Sequence, residues 1–452
     1  MKLLSPLDAV FLRMESKRTP MHIGAMMTFV PPAGAGPEFV RGLIADFARL
    51  NFLPAPFDSR LASGPLARIA PAWVPAEPDP EYHVRHSALP APGGQRELGT
   101  LIARLHSNPL DFDRPLWEAH VVEGLEGGRF GFYFKAHHSA IDGIGAVRVV
   151  KRWLSKDPDD DRGLPDLAHQ PRRPRGSGRS VADRMQGLAG TLRDHSFAVP
   201  ELAGKLARMG VGANSTIRAA LDTPRTVFNV PITQQRRLAA HIVELERLRV
   251  VGKAAGATVN DVTLAIIGGA VRRYLLEQDA LPKNSVMASV PVAVERDERS
   301  ANAVAGFVVP LGTEQPDPRR RLEVIRAATE RAKREISSLS RNASTQFSLL
   351  GLAPLAIGQM TGTLPKLPPF FNFTVSNVPL SRDPLYLKGA RLEAIYPMSF
   401  LADGYALNVT LVGYAGQLNF GFLGCRDALP HLQHLARYTS EAMDELSDAY
   451  GA

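Results

Sequence analysis

One cysteine, Cys425, stands in a chain of 452 residues, which excludes an intrachain disulfide framework and a thiolate metal cluster. Tryptophan is nearly as scarce, with three in the chain. Basic residues are not interleaved with aromatics and no finger spacing occurs, so no nucleic-acid partner is expected. No stretch reaches the roughly 18 uninterrupted apolar residues of a membrane-spanning helix. The opening residues Met1 to Asp8 lack the apolar core of a secretory signal. Together these absences lead to the expectation of a cytoplasmic protein.

What is present is ordinary for a folded chain, with 45% hydrophobic and 22% charged residues. The length exceeds what one compact core holds, and two or three domains are expected. The excess of 53 basic over 45 acidic residues gives +8, compatible with anionic headgroups or phosphorylated co-substrates. Three zones are distinguishable. Residues 1–155 alternate strand-like and helical patterns and close on a helix from Ile144 to Leu154. Residues 156–225 open on Asp157-Pro158-Asp159-Asp160-Asp161 and pass through a Pro/Arg/Gly-rich run that cannot bury a core, a crossover linker. Its helix-prone part, 172–208, carries eight Lys/Arg against Asp183, Asp194 and Glu201, a net +5. Residues 226–452 form a second mixed segment. Helices are predicted at Thr258–Leu276, near Pro318–Ser337 and at Leu429–Leu446. Strands are predicted at Phe371–Val375, Ala406–Leu411 and Leu418–Phe422, the last two as a hairpin.

The chemistry concentrates at Arg129 to Gly143. Phe130, Phe132, Phe134 and Ala136 share one face of a strand, while Tyr133, Lys135 and His137 share the other. His138 continues the apolar face and is delivered inward, whereas His137 points away or lies in the loop. Adjacent histidines on a strand diverge, which argues against a shared metal, and none is expected. Asp142 follows four residues after His138, and Gly143 stands where the chain turns into the next helix. The carboxylate either bonds the imidazole or pins the loop through an arginine elsewhere. Either role leaves His138 a neutral imidazole near its usual pKa of about 6.5, suited to general-base work.

The run His137-His138-Ser139-Ala140-Ile141-Asp142-Gly143 resembles the signature of the bacterial wax ester synthase/acyl-CoA:diacylglycerol acyltransferase family, related to chloramphenicol acetyltransferase and the condensation domains. The resemblance extends over most of the chain. Leu4-Ser5-Pro6-Leu7-Asp8, with Phe11-Leu12 and then Pro20-Met21-His22-Ile23-Gly24, looks like the family's opening. Arg114-Pro115-Leu116-Trp117-Glu118, Thr258-Val259-Asn260-Asp261 and Phe373-Thr374-Val375-Ser376-Asn377-Val378-Pro379 match further blocks in order. Two departures stand out. Leu380-Ser381 replace the usual Gly-Pro, and Arg296 lies one position off the place where related folds carry an arginine partner for the motif aspartate.

The resemblance implies two chloramphenicol-acetyltransferase-like α/β lobes, each a mixed sheet with flanking helices, around a channel with His138 near its centre. It implies transfer of a long-chain acyl group from acyl-CoA, the co-substrate, to a fatty alcohol or diacylglycerol. His138 would act as base, without an acyl-enzyme and with no further cofactor. Asn260, at a helix start, is the first candidate donor to the oxyanion, with helix capping as its other reading. Capping is favoured for Asp261. Ser376 and Asn377, ending a strand, would line the acyl-CoA channel or the oxyanion site, or form a turn. Pro115 to Glu118 reads as packing beneath the histidine strand, and the spacing of Glu15 and His22 gives them no role. The basic stretch 172–208 is either a solvated crossover or a surface that docks on the inner membrane face or lipid bodies. A condensation-type N-acyltransferase and a non-catalytic lipid-binding protein on this fold are the alternative functions.

Overall fold

A computed structural model describes residues 2–36, 38–48, 57–64, 67, 70–77, 79–161, 222–293, 304–337 and 354–452. The crossover's helix-prone basic stretch, 172–208, and Arg296 lie outside these residues. Two six-stranded sheets dominate, accompanied by a small three-stranded one.

The first sheet runs in the order Tyr386–Leu387, Ala390–Met398, His22–Val30, Phe130–His137, Trp117–Glu123, Val84–Ala88. It is mixed, with Val84–Ala88 parallel to Trp117–Glu123 and the remaining pairs antiparallel. The strand Phe130–His137 is central and buried along its whole length. A central strand covered on both faces has no solvated side, so both of its side-chain sets must find partners. Its apolar set does so with aromatic rings: Phe130 stacks on Phe29, Phe132 on Phe47, and Phe134 meets Phe57 and Trp153 edge-on.

The second sheet runs Val304–Pro310, Met287–Ala293, Phe373–Ser381, Leu407–Tyr414, Gln417–Cys425, Arg236–Glu244. Phe373–Ser381 lies parallel to both of its neighbours and the other pairs are antiparallel. The predicted hairpin is Leu407–Tyr414 with Gln417–Cys425, closed by Ala415 (φ 45°) and Gly416 (φ 80°), two left-handed residues that suit the strand twist. The predicted helices appear as Val259–Glu277, Pro318–Ser337 and Gln433–Tyr450. Among the described residues no single helix is long and apolar enough to cross a membrane.

The two mixed sheets with flanking helices agree with the expected fold class. The linear division at residue 226 does not describe how the sheets are composed. Tyr386–Leu387 and Ala390–Met398, expected in the C-terminal lobe, complete the first sheet, where Met398 pairs with Gly24 and Arg391 with Val30. The physical reason is an otherwise open edge, since His22–Val30 would expose a ladder of unpaired backbone groups without them. The inserted strand also presses on the second sheet. The Pro397 carbonyl comes so near Gly421 that a Cβ there would lie 1.9 Å from it, and Asn419 Oδ1 accepts the Ile395 N–H (3.3 Å). Helix Gln95–Ser107 bridges likewise. Its Leu98, Leu101 and Ile102 belong to one buried cluster with Met26 and Tyr133 of the first sheet and Leu238 of the second.

Candidate active site

His137 is the last residue of its strand, in register with His22. The next residue, His138, has left the strand ladder, and its backbone N–H donates to the Met21 carbonyl (2.8 Å). The chain then turns back on itself, with the Ala140 and Ile141 N–H groups both directed at the His137 carbonyl. Helix Gly143–Trp153 starts immediately afterwards. Asp142 caps it, its Oδ1 accepting the Gly145 N–H at 2.7 Å. A side chain at 145 would have no room, since its Cβ would lie 2.8 Å from Ile141 Cγ1 and 3.1 Å from Asp142 Oδ1. The missing side chain lets the amide reach the buried carboxylate.

The two imidazoles have different surroundings, His138 against Phe11 and Phe400, His137 against Phe112. His138 is half-buried and borders an apolar cavity of about 120 Å³, several times the roughly 30 Å³ share of one water. Both sheets and helix Gly143–Trp153 contribute to its wall, among them Ile23, Gly143, Ala146, Ser376, Val378 and Thr410. Phe11 stacks on the His138 ring (centroids 4.1 Å apart, planes at 21°), and Phe400 approaches it edge-on (5.3 Å, 90°).

His137 is 1% exposed. Its Nδ1 accepts the Ser139 N–H (3.1 Å) and lies 2.7 Å from Ser139 Oγ. A nitrogen that accepts carries no proton, so the hydrogen of a neutral ring sits on Nε2. That atom faces Glu15 Oε2 at 3.4 Å, and the same carboxylate oxygen accepts the Met21 N–H. Glu15 thus touches His137 directly and reaches His138 through the Met21 backbone.

Behind this pair lies a buried polar layer on the face of Tyr133 and Lys135. The Lys135 ammonium donates to the Leu105 (3.1 Å) and Asn108 (2.8 Å) carbonyls and pairs with Glu118 Oε2 (3.2 Å). Burial lowers the Lys135 pKa, with Glu118 opposing the shift. For Glu118 burial pushes the other way, but the His120 imidazole 3.9 Å away and the charges of Lys135 and Arg85 hold its carboxyl below the usual value. His106 Nε2 donates to the Ser399 carbonyl (3.0 Å) and Nδ1 accepts from Tyr133 Oη (2.9 Å). Burial pushes His106 down to about 3, and the same cause, with His106 and Lys135 nearby, holds His22 well below its ordinary value.

Of the residues singled out in the sequence, His138, Gly143 and Ser376 share the cavity wall. His137 stands behind it, and Asp142, 3% exposed, holds the helix cap. Asn377 alternates away from Ser376 along its strand and is exposed. Asn260 is not among the residues bordering the cavity. It occupies the first turn of helix Val259–Glu277, where Thr258 and Asp261 form a reciprocal cap and Asp261 Oδ1 takes the Thr329 hydroxyl (2.6 Å). That anchor ties the turn to the neighbouring helix rather than to His138. Pro115 to Glu118 packs as expected beside the histidine strand, with Trp117 stacked on His83. Sequence reasoning assigned no role to Phe11, though it belongs to the opening motif, and passed over Phe400, His106 and the Lys135–Glu118 pair. One signal was available: a lysine inside an aromatic strand requires an internal counter-charge.

 The motifs Leu4–Asp8, Pro20–Gly24, Arg114–Glu118, His137–Gly143 and Thr258–Asp261 all fall within residues 4–263, which match the wax ester synthase/diacylglycerol acyltransferase catalytic domain. Residues 300–447 match the C-terminal domain of the same family. A Mycobacterium tuberculosis protein named as a diacylglycerol O-acyltransferase is 54% identical over 451 residues, covering 99% of each chain. Among solved structures, the wax ester synthase/diacylglycerol acyltransferase of Marinobacter aquaeolei superposes with a TM-score of 0.81 at 36% identity over the full length of both chains. The starter condensation domain of rhizomide synthetase shares the fold, with a TM-score of 0.58 at 13% identity over 99% of this chain and 95% of that one. The chain belongs to the wax ester synthase/diacylglycerol acyltransferase family.

Proposed function

We propose that this protein is an acyl-CoA-dependent O-acyltransferase that moves a long-chain acyl group onto a fatty alcohol or a diacylglycerol, with His138 as general base. The observation that carries the reading is the asymmetry of the histidine pair: His138 alone of the two borders the apolar cavity between the sheets. His138 takes the acceptor's hydroxyl proton as that oxygen attacks the thioester carbonyl. The tetrahedral oxyanion then collapses, the C–S bond breaks, and the proton passes from the imidazolium to the departing CoA thiolate. Acyl-CoA is consumed as co-substrate, and the reaction as written needs no further cofactor. No acyl-enzyme is involved; Cys425 is buried at the end of its strand and does not border the cavity. Ser376, whose strand contributes to the cavity wall, replaces Asn260 as the candidate donor to the oxyanion. Acceptors this insoluble place the protein's work at the inner membrane face or on lipid bodies, the surface the crossover's basic stretch would suit.

Purified protein given palmitoyl-CoA with hexadecanol or dioleoylglycerol is expected to release free thiol and form the corresponding ester. Thiol release with neither acceptor sinks the reading, and release only with an amine acceptor transfers it to condensation chemistry. General-base assistance contributes about 10²–10⁴-fold, so His138→Ala should lower kcat by that factor while the protein stays folded. His137→Ala should cost less.

A further inference from the structure

We infer that Phe11 is a positioning residue, its ring setting the plane in which the His138 imidazole meets the acceptor hydroxyl. The inference rests on the reading of His138 as the base. His138 follows the last residue of its strand, so the sheet ladder no longer fixes it. The second side-chain torsion of a histidine is broad, so the rings packed against it help to set its plane. Phe11 lies against one face at 4.1 Å and 21°, and Phe400 stands perpendicular at 5.3 Å, the offset-stacked and edge-on arrangements that aromatic rings prefer.

The delivery of Phe11 is itself built. It sits on helix Pro6–Met14, which Ser5 caps by accepting the Asp8 N–H at 3.1 Å, with Pro6 at the first position. Glu15 ends that helix and accepts the Met21 N–H, while the Met21 carbonyl accepts the His138 N–H. One short segment therefore holds both the backbone and the ring plane of His138. This accounts for the opening motif Leu4 to Asp8 with Phe11, to which spacing alone assigned no work. Phe11 is 7% exposed and does not border the cavity. Its loss should thus disturb the base without removing a substrate contact.

The test compares the full-length wild type with Phe11→Leu, which keeps bulk but has no planar face, and Phe11→Tyr, which keeps the ring. Misorientation of a reacting group by a fraction of an ångström to one ångström costs roughly ten- to a hundredfold. Phe11→Leu is expected to lose that much in kcat with KM for palmitoyl-CoA unchanged, and Phe11→Tyr to recover most of the rate. Labelling of His138 by diethyl pyrocarbonate, followed by peptide mass spectrometry, should be faster in Phe11→Leu than in the wild type. Wild-type kcat in Phe11→Leu overturns the inference, as does a change confined to KM. So does an equal loss in Phe11→Tyr when both variants melt like the wild type. If Phe11→Leu melts early, Phe11→Met is read by the same criteria. Should the wild type itself turn over no acyl-CoA, the proposed function fails, and the labelling rates alone then decide Phe11, with equal rates overturning its role.

Discussion

Lys135, on the histidine strand, carries an ammonium group into the interior, where a charge is tolerated only when it is paired and hydrogen-bonded. Glu118 supplies the pair, and the carbonyls at the end of helix Gln95–Ser107 supply the bonds. Their side chains are 1% and 8% exposed, so removing one partner leaves a buried charge uncompensated. Glu118→Leu alone should destabilise the fold by about 3–5 kcal/mol, as should Lys135→Met alone, whereas the two together should recover much of that loss. Urea denaturation of both singles and the double closes the cycle, and strictly additive losses would refute the coupling. Strand parity alone places Lys135 opposite the phenylalanines, and that much was legible. Its partner was not, because Glu118 reaches it only through the register of a neighbouring strand, which pairs Glu118 with Lys135 directly. The same limit hid Phe11, since nothing in the sequence says that a helix at the chain's start lies over a histidine more than a hundred residues on.

At the scale of elements, helix Gln95–Ser107 ties the first sheet to the loop beside His138. Through His106 it holds the Ser399 carbonyl, and the next residue, Phe400, lies edge-on to His138. Burial holds His106 at about 3, against 6.5 in an open chain. Between those values the unfolded chain binds the proton and the folded one does not, so unfolding takes up protons and acid favours it. The stabilising contribution is complete above about pH 6.5 and is lost as the pH falls toward 3, at roughly 1.4 kcal/mol per unit for one group. His22, lowered in the same direction by burial, adds to the slope. His106→Gln should therefore flatten the fall in stability between pH 6 and 4. Urea midpoints at pH 7, 6, 5 and 4 measure it, and an unchanged slope would show that His106 does not titrate in this way. Helices with strong periodicity and caps were legible at this scale, Thr258 with Asp261 most clearly. Asn260 does not border the cavity; a cap and a donor site share the same spacing, and only tertiary placement separates them.

For the whole molecule, the separation into two lobes by sequence position gives way to an exchange. Residues 390–398 leave the second half of the chain to complete the first sheet, and helix Gln95–Ser107 joins the second sheet's core. Alternating hydrophobicity marks such segments as strands but does not say which sheet they enter, because pairing between distant segments leaves no local trace. The mixed two-sheet architecture was legible through the motif order; the exchanged strand was not. That strand also contributes Ile395, Pro397 and Met398 to the cavity wall, so the fit between the sheets and the shape of the site are linked through it. At Gly421 the contact is closest, with the Pro397 backbone occupying the space of a side chain. Backbone cannot swing aside as a long side chain does, and Gly421→Ala must push the sheets apart. Overpacking of this kind costs about 1–3 kcal/mol, and the displaced Pro397 would alter the cavity beside His138. The variant is expected to melt below the wild type and to show a raised KM for long-chain acceptors. A wild-type melting temperature together with an unchanged KM would mean that the two sheets accommodate the methyl group without moving, and that their contact does not set the shape of the site.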